Sequence, residues 1–239
     1  MLRLSFNPAR EARLKTLFTQ RIGATQFPCV GAKSAVSKDQ LQVMVARDLT
    51  SAWDDLRIYR CLREFAVGYT KQPRLFTSFV VLFDGPGTLS EAQFERHLWA
   101  RLQSLHDKDI WHGQRRDNRV DLDPASPHFS LSFGGEAFFV IGLHPHASRK
   151  ARRFACPALV FNLHDQFERL RADGRYTKLH DTIIGRDIAL DGAANPMLTP
   201  FGTMSEARQY SGRVVNADWK CPFKPGVEAA VSPMLADVD

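Results

Sequence analysis

With 239 residues, 44% of them apolar and 24% charged, the chain has enough apolar side chain for one buried core and the make-up of a globular protein, not a disordered one. Its 32 Lys and Arg against 26 Asp and Glu give +6 and a pI near 9.3, which favours acidic partners. No secretory signal or membrane-length apolar run is found, so a cytoplasmic location is expected, and four cysteines (Cys29, Cys61, Cys156, Cys221) without a C-x-x-C pair fit neither a disulfide framework nor a zinc ribbon.

Asn7-Pro8 is a cap and first turn, and Leu14, Leu17 and Phe18 recur at helical spacing, so a helix is predicted over 8–21, ending before Gly23. Phe27 to Lys33, with Pro28 and Gly31 around Cys29, reads as a loop, and Leu41, Val43 and Val45 alternate as a strand. Thr50 or Ser51 is expected to cap a helix whose buried face is Leu56, Tyr59, Leu62, Ala66 and Tyr69, with Cys61 structural. Leu75–Phe83 reads as a buried strand ending in the turn Asp84-Gly85-Pro86-Gly87. Ser90-Glu91 opens a helix lined by Phe94, Leu98, Leu102 and Leu105, and Asp107 to Pro127 reads as a connection.

Phe129–Phe133 and Ala137–Gly142 flank Gly134-Gly135 as an antiparallel hairpin. Leu159-Val160-Phe161 is a third apolar run, and a helix begins at Asp165. Locally paired strands with helices grouped around them predict a single α+β domain over 1–239 with a mainly antiparallel sheet and a loosely packed tail after about 222.

Three stretches could carry chemistry. His144 and His146 end a strand before Arg149, Lys150, Arg152 and Arg153, and Asn162 and His164 arrive at the end of the next. Three imidazoles and four cations are therefore expected on one sheet edge. Cys29 is either a small buried hydrophobe or a thiol at a tight turn, where backbone N–H groups and the nearby Lys33 would favour a thiolate metal ligand. Glu206 with Tyr210 either belongs to a short helix capped by Ser205 or holds a planar cation by paired hydrogen bonds and stacking.

Phe27-Pro-Cys29, Gly142-Leu-His144-Pro-His-Ala-Ser-Arg149, Arg152-Arg153-Phe154, Pro157-Ala-Leu-Val-Phe-Asn162-Leu-His164, Gln166-Phe-Glu168 and Asn195-Pro-Met-Leu198 with Phe201-Gly202 and Ser205-Glu206, spread over about residues 20–215, together resemble the YqcI/YcgG family. The stretch Phe27 to Ser34 is similar to its guanitoxin-pathway branch of haem-dependent guanidine N-hydroxylases.

The resemblance implies haem b, dioxygen as co-substrate, and N-hydroxylation of arginine or a related guanidine compound. Cys29 would be the axial iron ligand, since a thiolate favours O–O cleavage, with His144 the competing ligand. Arg149, Arg152, Arg153 and Lys33 would serve the cofactor, His164 and Asn162 the bound dioxygen, and Glu206, Glu168 and Tyr210 the substrate guanidinium. No nucleotide fingerprint such as G-x-G-x-x-G occurs, so a separate electron donor, a ferredoxin or reductase, is implied, with the basic surface as its docking face. A non-catalytic haem carrier or sensor is the alternative, and nucleic-acid binding, which lacks a fold motif or stacking aromatics, ranks last.

Overall fold

The computed structural model describes residues 7–198 and 202–226, so Phe201 and the residues after 226 lie outside the described part. Asn7 caps the first helix, α1 (Pro8–Gly23), by accepting from the Ala9 and Arg10 amides, and Leu14, Phe18 and Ile22 turn inward. The stretch expected as a loop around Cys29 instead starts α2 (Val30–Ser37): Cys29 is its N-cap residue, and its sulfur accepts from the Ala32 amide at 3.4 Å. Gly31 does not break this helix because it sits in the first turn, beside the Phe76 ring.

β1 (Leu41–Asp48) follows as expected. The next helix, α3 (Asp55–Lys71), begins later than Thr50 or Ser51, since Ser51 is spent accepting from the Trp53 amide, and Leu56 is exposed. β2 (Ser78–Gly85) starts three residues after Leu75 because Phe76 adopts a positive φ of 63° that turns the chain. α4 opens with the reciprocal Ser90–Gln93 capping box and runs Glu91–Trp111, five residues into the expected connection, because buried Asp109 accepts from the Gly134 amide of the facing hairpin.

That hairpin is β3 (Leu131–Phe133) and β4 (Glu136–Leu143), joined through Gly134 and Gly135, both at positive φ. After a 3-10 turn at Lys150–Arg152 come β5 (Ala158–Leu163), α5 (His164–Ala172), α6 (Tyr176–Asp191) and the short α7 (Ala207–Tyr210).

The sheet order is β1-β2-β5-β4-β3, with β1 and β2 parallel and the other neighbours antiparallel, which is the expected α+β domain. β5 lies centrally, and alternation splits the sheet into two buried faces. Phe79, Val81, Phe83, Val140, Leu159 and Phe161 pack under α3 and α4, while Val80, Leu82, Leu143 and Ala158 face α1 and α2. The stretch 222–226 is not loose. Phe223 is buried against Trp99, His106 and Phe129, and the Lys224 and Gly226 amides donate to Gln103 and His106.

Candidate functional site

On the second face of the sheet, under α1, α2, α5 and α6, lies an apolar cavity of ≈ 290 Å³, at the small end of the roughly 300–1,000 Å³ typical of ligand pockets. Phe18, Phe76, Val80, Ile141 and Val160 line it together with a few polar groups: Cys29, Arg152, Asn162, Asp187 and Gln166. Gln166 is fully used, its amide accepting from Thr77 N and donating to Thr77 O.

Cys29 enters this cavity from the N-terminus of α2. Burial pushes its thiol pKa up, while the Ala32 and Gly31 amides and the Arg152 charge pull it down. The free side chain is therefore a neutral thiol, and a bound metal ion would deprotonate it with those three groups already in place.

Arg152 donates to three backbone carbonyls, Gly142 at 3.2 Å, Gln209 at 3.1 Å and Tyr210 at 3.4 Å, and no carboxylate lies within ion-pairing distance of it among the described residues. Burial lowers its pKa to about 10, which leaves it charged at neutral pH. Asp187 on the same wall opposes that shift without pairing with the guanidinium, and a guanidinium with no direct carboxylate partner on an apolar wall fits a ligand carboxylate.

The other expected cofactor cations stand elsewhere. Arg149 pairs with Asp187 and Asp191 and donates to Ala193 O, joining the 3-10 turn to α6. Arg153 donates to Ala147 O and Ser148 O and is exposed, and Lys33 donates to Thr25 O.

The three imidazoles do not converge. Leu143 faces the cavity, so alternation sends His144 to the opposite face, where its buried ring stacks on Phe94 at 4.4 Å. Burial there pushes its pKa down to about 4, against a smaller opposing pull from Glu91. His146 is an exposed loop residue. Cys29 and His144, the two candidate iron ligands, are thus on different sides of the sheet.

Asn162 does reach the cavity, accepting from Ser78 Oγ at 2.8 Å. His164 does not: it starts α5, whose Gln166, Phe167 and Leu170 face the cavity while His164 and Glu168 face a separate surface hollow with Arg119, Val120 and His128. Its Nε2 lies 3.1 Å from Glu168, which also takes Arg171 at 2.6 Å.

Glu206 is outside the cavity as well. It accepts from Ser130 Oγ at 3.1 Å, and burial raises its pKa to about 7, with Arg171 and Glu168 in electrostatic reach. Tyr210 stacks on Trp99 and donates to Phe138 O within the core, so it offers no open face to a ligand.

Sequence reasoning missed Asp187 and the whole of α6. The i, i+4 spacing of Asp187 and Asp191 was the available signal, matched in space to Arg149. Among the described residues no three His, Cys, Asp or Glu side chains gather as an ion site. Haem iron takes only one or two protein ligands, so the fit rests on Cys29, Arg152 and the apolar wall. No helix of the described residues is long and apolar enough to cross a membrane. Residues 18–224 match the family model described as the YqcI/YcgG family. No curated protein and no solved structure matches the chain.

Proposed function

The chain belongs to the YqcI/YcgG family, and on that premise we propose that it is a haem-dependent monooxygenase that N-hydroxylates the guanidine group of arginine or a related compound. The observation that carries the reading is Cys29, a helix N-cap thiol opening onto an apolar cavity whose wall holds one unpaired guanidinium, Arg152. Thiolate-ligated haem, when bound, supplies dioxygen activation. In the overall reaction one oxygen atom enters a guanidine N–H bond to give N–OH and the other leaves as water, consuming two electrons from an outside donor and two protons.

The residues take the following parts. Cys29 would hold the iron, helped by the Ala32 and Gly31 amides, and Arg152 would neutralise a propionate. Aromatic and aliphatic side chains exclude water. Asn162 supplies an amide at the cavity wall. Asp187, already held by Arg149, lines the cavity and would be the carboxylate for a substrate guanidinium, in preference to Glu206 and Glu168, which do not line it.

Absorption spectra of the haem-reconstituted protein, ferric, ferrous and ferrous with carbon monoxide, test the assignment. A strongly red-shifted carbon monoxide band is expected, lost in Cys29→Ala and kept in His144→Ala. Unchanged spectrum and turnover in Cys29→Ala would sink the thiolate assignment, and no haem after reconstitution would remove the enzyme reading. A second reading, a non-catalytic haem carrier or sensor, is favoured by one observation: the acids expected to hold the guanidinium lie outside the cavity. Full haem loading without dioxygen consumption in the presence of any guanidine compound would select it.

A further inference from the structure

The cations of this protein are unevenly neutralised. Among the described residues Asp and Glu side chains pair with Arg10, Lys15, Arg47, Arg57, Arg101, Arg119, Arg149, Arg169, Arg171, Arg175 and Arg213, and of these Arg149, held by Asp187 and Asp191, stands next to Lys150. Around the loop between α1 and α2 that carries Cys29 the pattern changes. Arg21 donates to Lys150 O at 2.6 Å and Arg153 O at 3.3 Å, and Lys150 donates to Leu190 O at 2.9 Å. Arg153 donates to Ala147 O and Ser148 O. Lys33 and Arg186 both donate to Thr25 O, and Arg186 also reaches Phe27 O.

None of these five cations has a carboxylate within ion-pairing distance among the described residues. They form one connected belt: Arg21 lies over the Phe27 ring, Arg186 takes the Phe27 carbonyl, and Arg21 carries the belt on to Lys150 and Arg153. Arg21, Lys150 and Arg153 further surround one open hollow with Pro145 and Phe154.

Every one of these side chains satisfies backbone carbonyls and leaves its charge unspent. Such a field falls off over a Debye length of about 8 Å at physiological salt, so cations this closely linked act as a single patch. Crowding is visible at Lys33, whose pKa is lowered by desolvation and then by Arg186. With a whole-chain charge of only +6, five unneutralised cations on one face make the molecule strongly polar in charge.

We propose that this belt is the docking surface for an acidic, one-electron carrier protein, which it brings against the loop that holds Cys29. The inference rests on the monooxygenase reading, which requires electrons from outside, and it adds where they arrive. A carrier seated here delivers each electron on the sulfur side of the cavity through the 25–29 backbone, and is itself oxidised by one electron per visit, two visits supplying one turnover. The carrier's acidic groups would meet cations that no carboxylate of the described residues pairs with, so its approach is steered and the rate falls as salt rises.

The test uses the haem-loaded full chain and a reduced, acidic plant-type [2Fe–2S] ferredoxin, with dithionite as a small reductant that needs no docking. In stopped flow, Arg21→Glu with Lys150→Glu is expected to slow ferredoxin-driven reduction about tenfold or more at low salt and to flatten its salt dependence, with dithionite reduction and the carbon monoxide spectrum unchanged. If the double variant fails to fold, Arg21→Gln with Lys150→Gln is expected to give a smaller loss in the same direction.

Equal ferredoxin rates in variant and wild type, or a wild-type rate indifferent to salt, would overturn the proposal. Should the chain refuse haem, the monooxygenase reading fails by itself. Docking is then read separately as a salt-sensitive ferredoxin complex in sedimentation, and absence of that complex overturns it. Tighter retention of a DNA duplex than of ferredoxin, lost in the same variant, would assign the belt to nucleic acid and also overturn it.

Discussion

Desolvation favours the neutral form of buried His144 and of half-buried Glu206, and the two tilt stability against pH in opposite directions. For His144 the folded pKa of about 4 lies below the ordinary 6.5, so as pH falls from about 6.5 the unfolded chain takes up a proton that the folded one refuses. Stability is complete above that range and is lost on acidification, by up to about 3 kcal/mol. For Glu206 the folded pKa of about 7 lies above the ordinary 4.5, so stability is complete below 4.5 and is lost as pH rises through 7. Glu206→Gln keeps the shape without the ionisation. It is expected to raise the thermal midpoint at pH 8 by several degrees, through about 1–2 kcal/mol after allowing for partial solvent access, and to leave it unchanged near pH 4.5. A lower midpoint at pH 8 would mean that Glu206 works as an ionised partner of a cation, as a guanidinium site requires.

At the scale of elements, α4 and β4 meet through Gly142. A Cβ there would come within 2.7 Å of Phe94 and 2.8 Å of Leu98, inside a layer that also holds the His144 ring. Gly142→Ala is therefore expected to overpack the core and cost about 1–3 kcal/mol, read as a fall of several degrees in a melting curve, and an unchanged midpoint would show that α4 can step aside. Elements with local signals were legible: the Asn7-Pro8 cap of α1, the Ser90 start of α4, and the Gly134-Gly135 hairpin. α2 was hidden because Pro28 and Gly31 punctuate it, and α6 because Leu179 and Ile183 cover a cavity and leave Asp187 its one fully buried side chain, so no continuous apolar stripe marks it. The site shows the same division. Cys29 and Arg152 could be chosen by residue type, but the side on which each side chain emerges is set by strand register and by the face of α5, which turns His164 and Glu168 away from the cavity that Asn162 reaches. Neighbours in sequence were therefore read as neighbours in space when they were not.

Across the whole molecule the two faces of the sheet divide the work. The α3–α4 face is filled with aromatic rings, Phe79, Phe94, Phe133, Phe138, Phe161, Trp99 and Tyr210, and is closed at its end by Phe223. The α1–α2 face keeps a cavity between its helices and the strands. Stability and ligand chemistry should therefore respond to different substitutions. Phe223 is nearly fully buried and far along the chain from the rings it covers, so Phe223→Ala removes a long-range closure without touching the cavity lining. The loss expected for a buried Phe is about 3–5 kcal/mol, and at roughly 2–4 °C per kcal/mol for a chain of this size the midpoint should fall by about 10 °C. Below that lowered midpoint the haem and carbon monoxide bands of the loaded protein should stay where they are in the wild type. A band position that moves together with the loss of stability would show that the two faces are mechanically coupled through the sheet, and would refute the division.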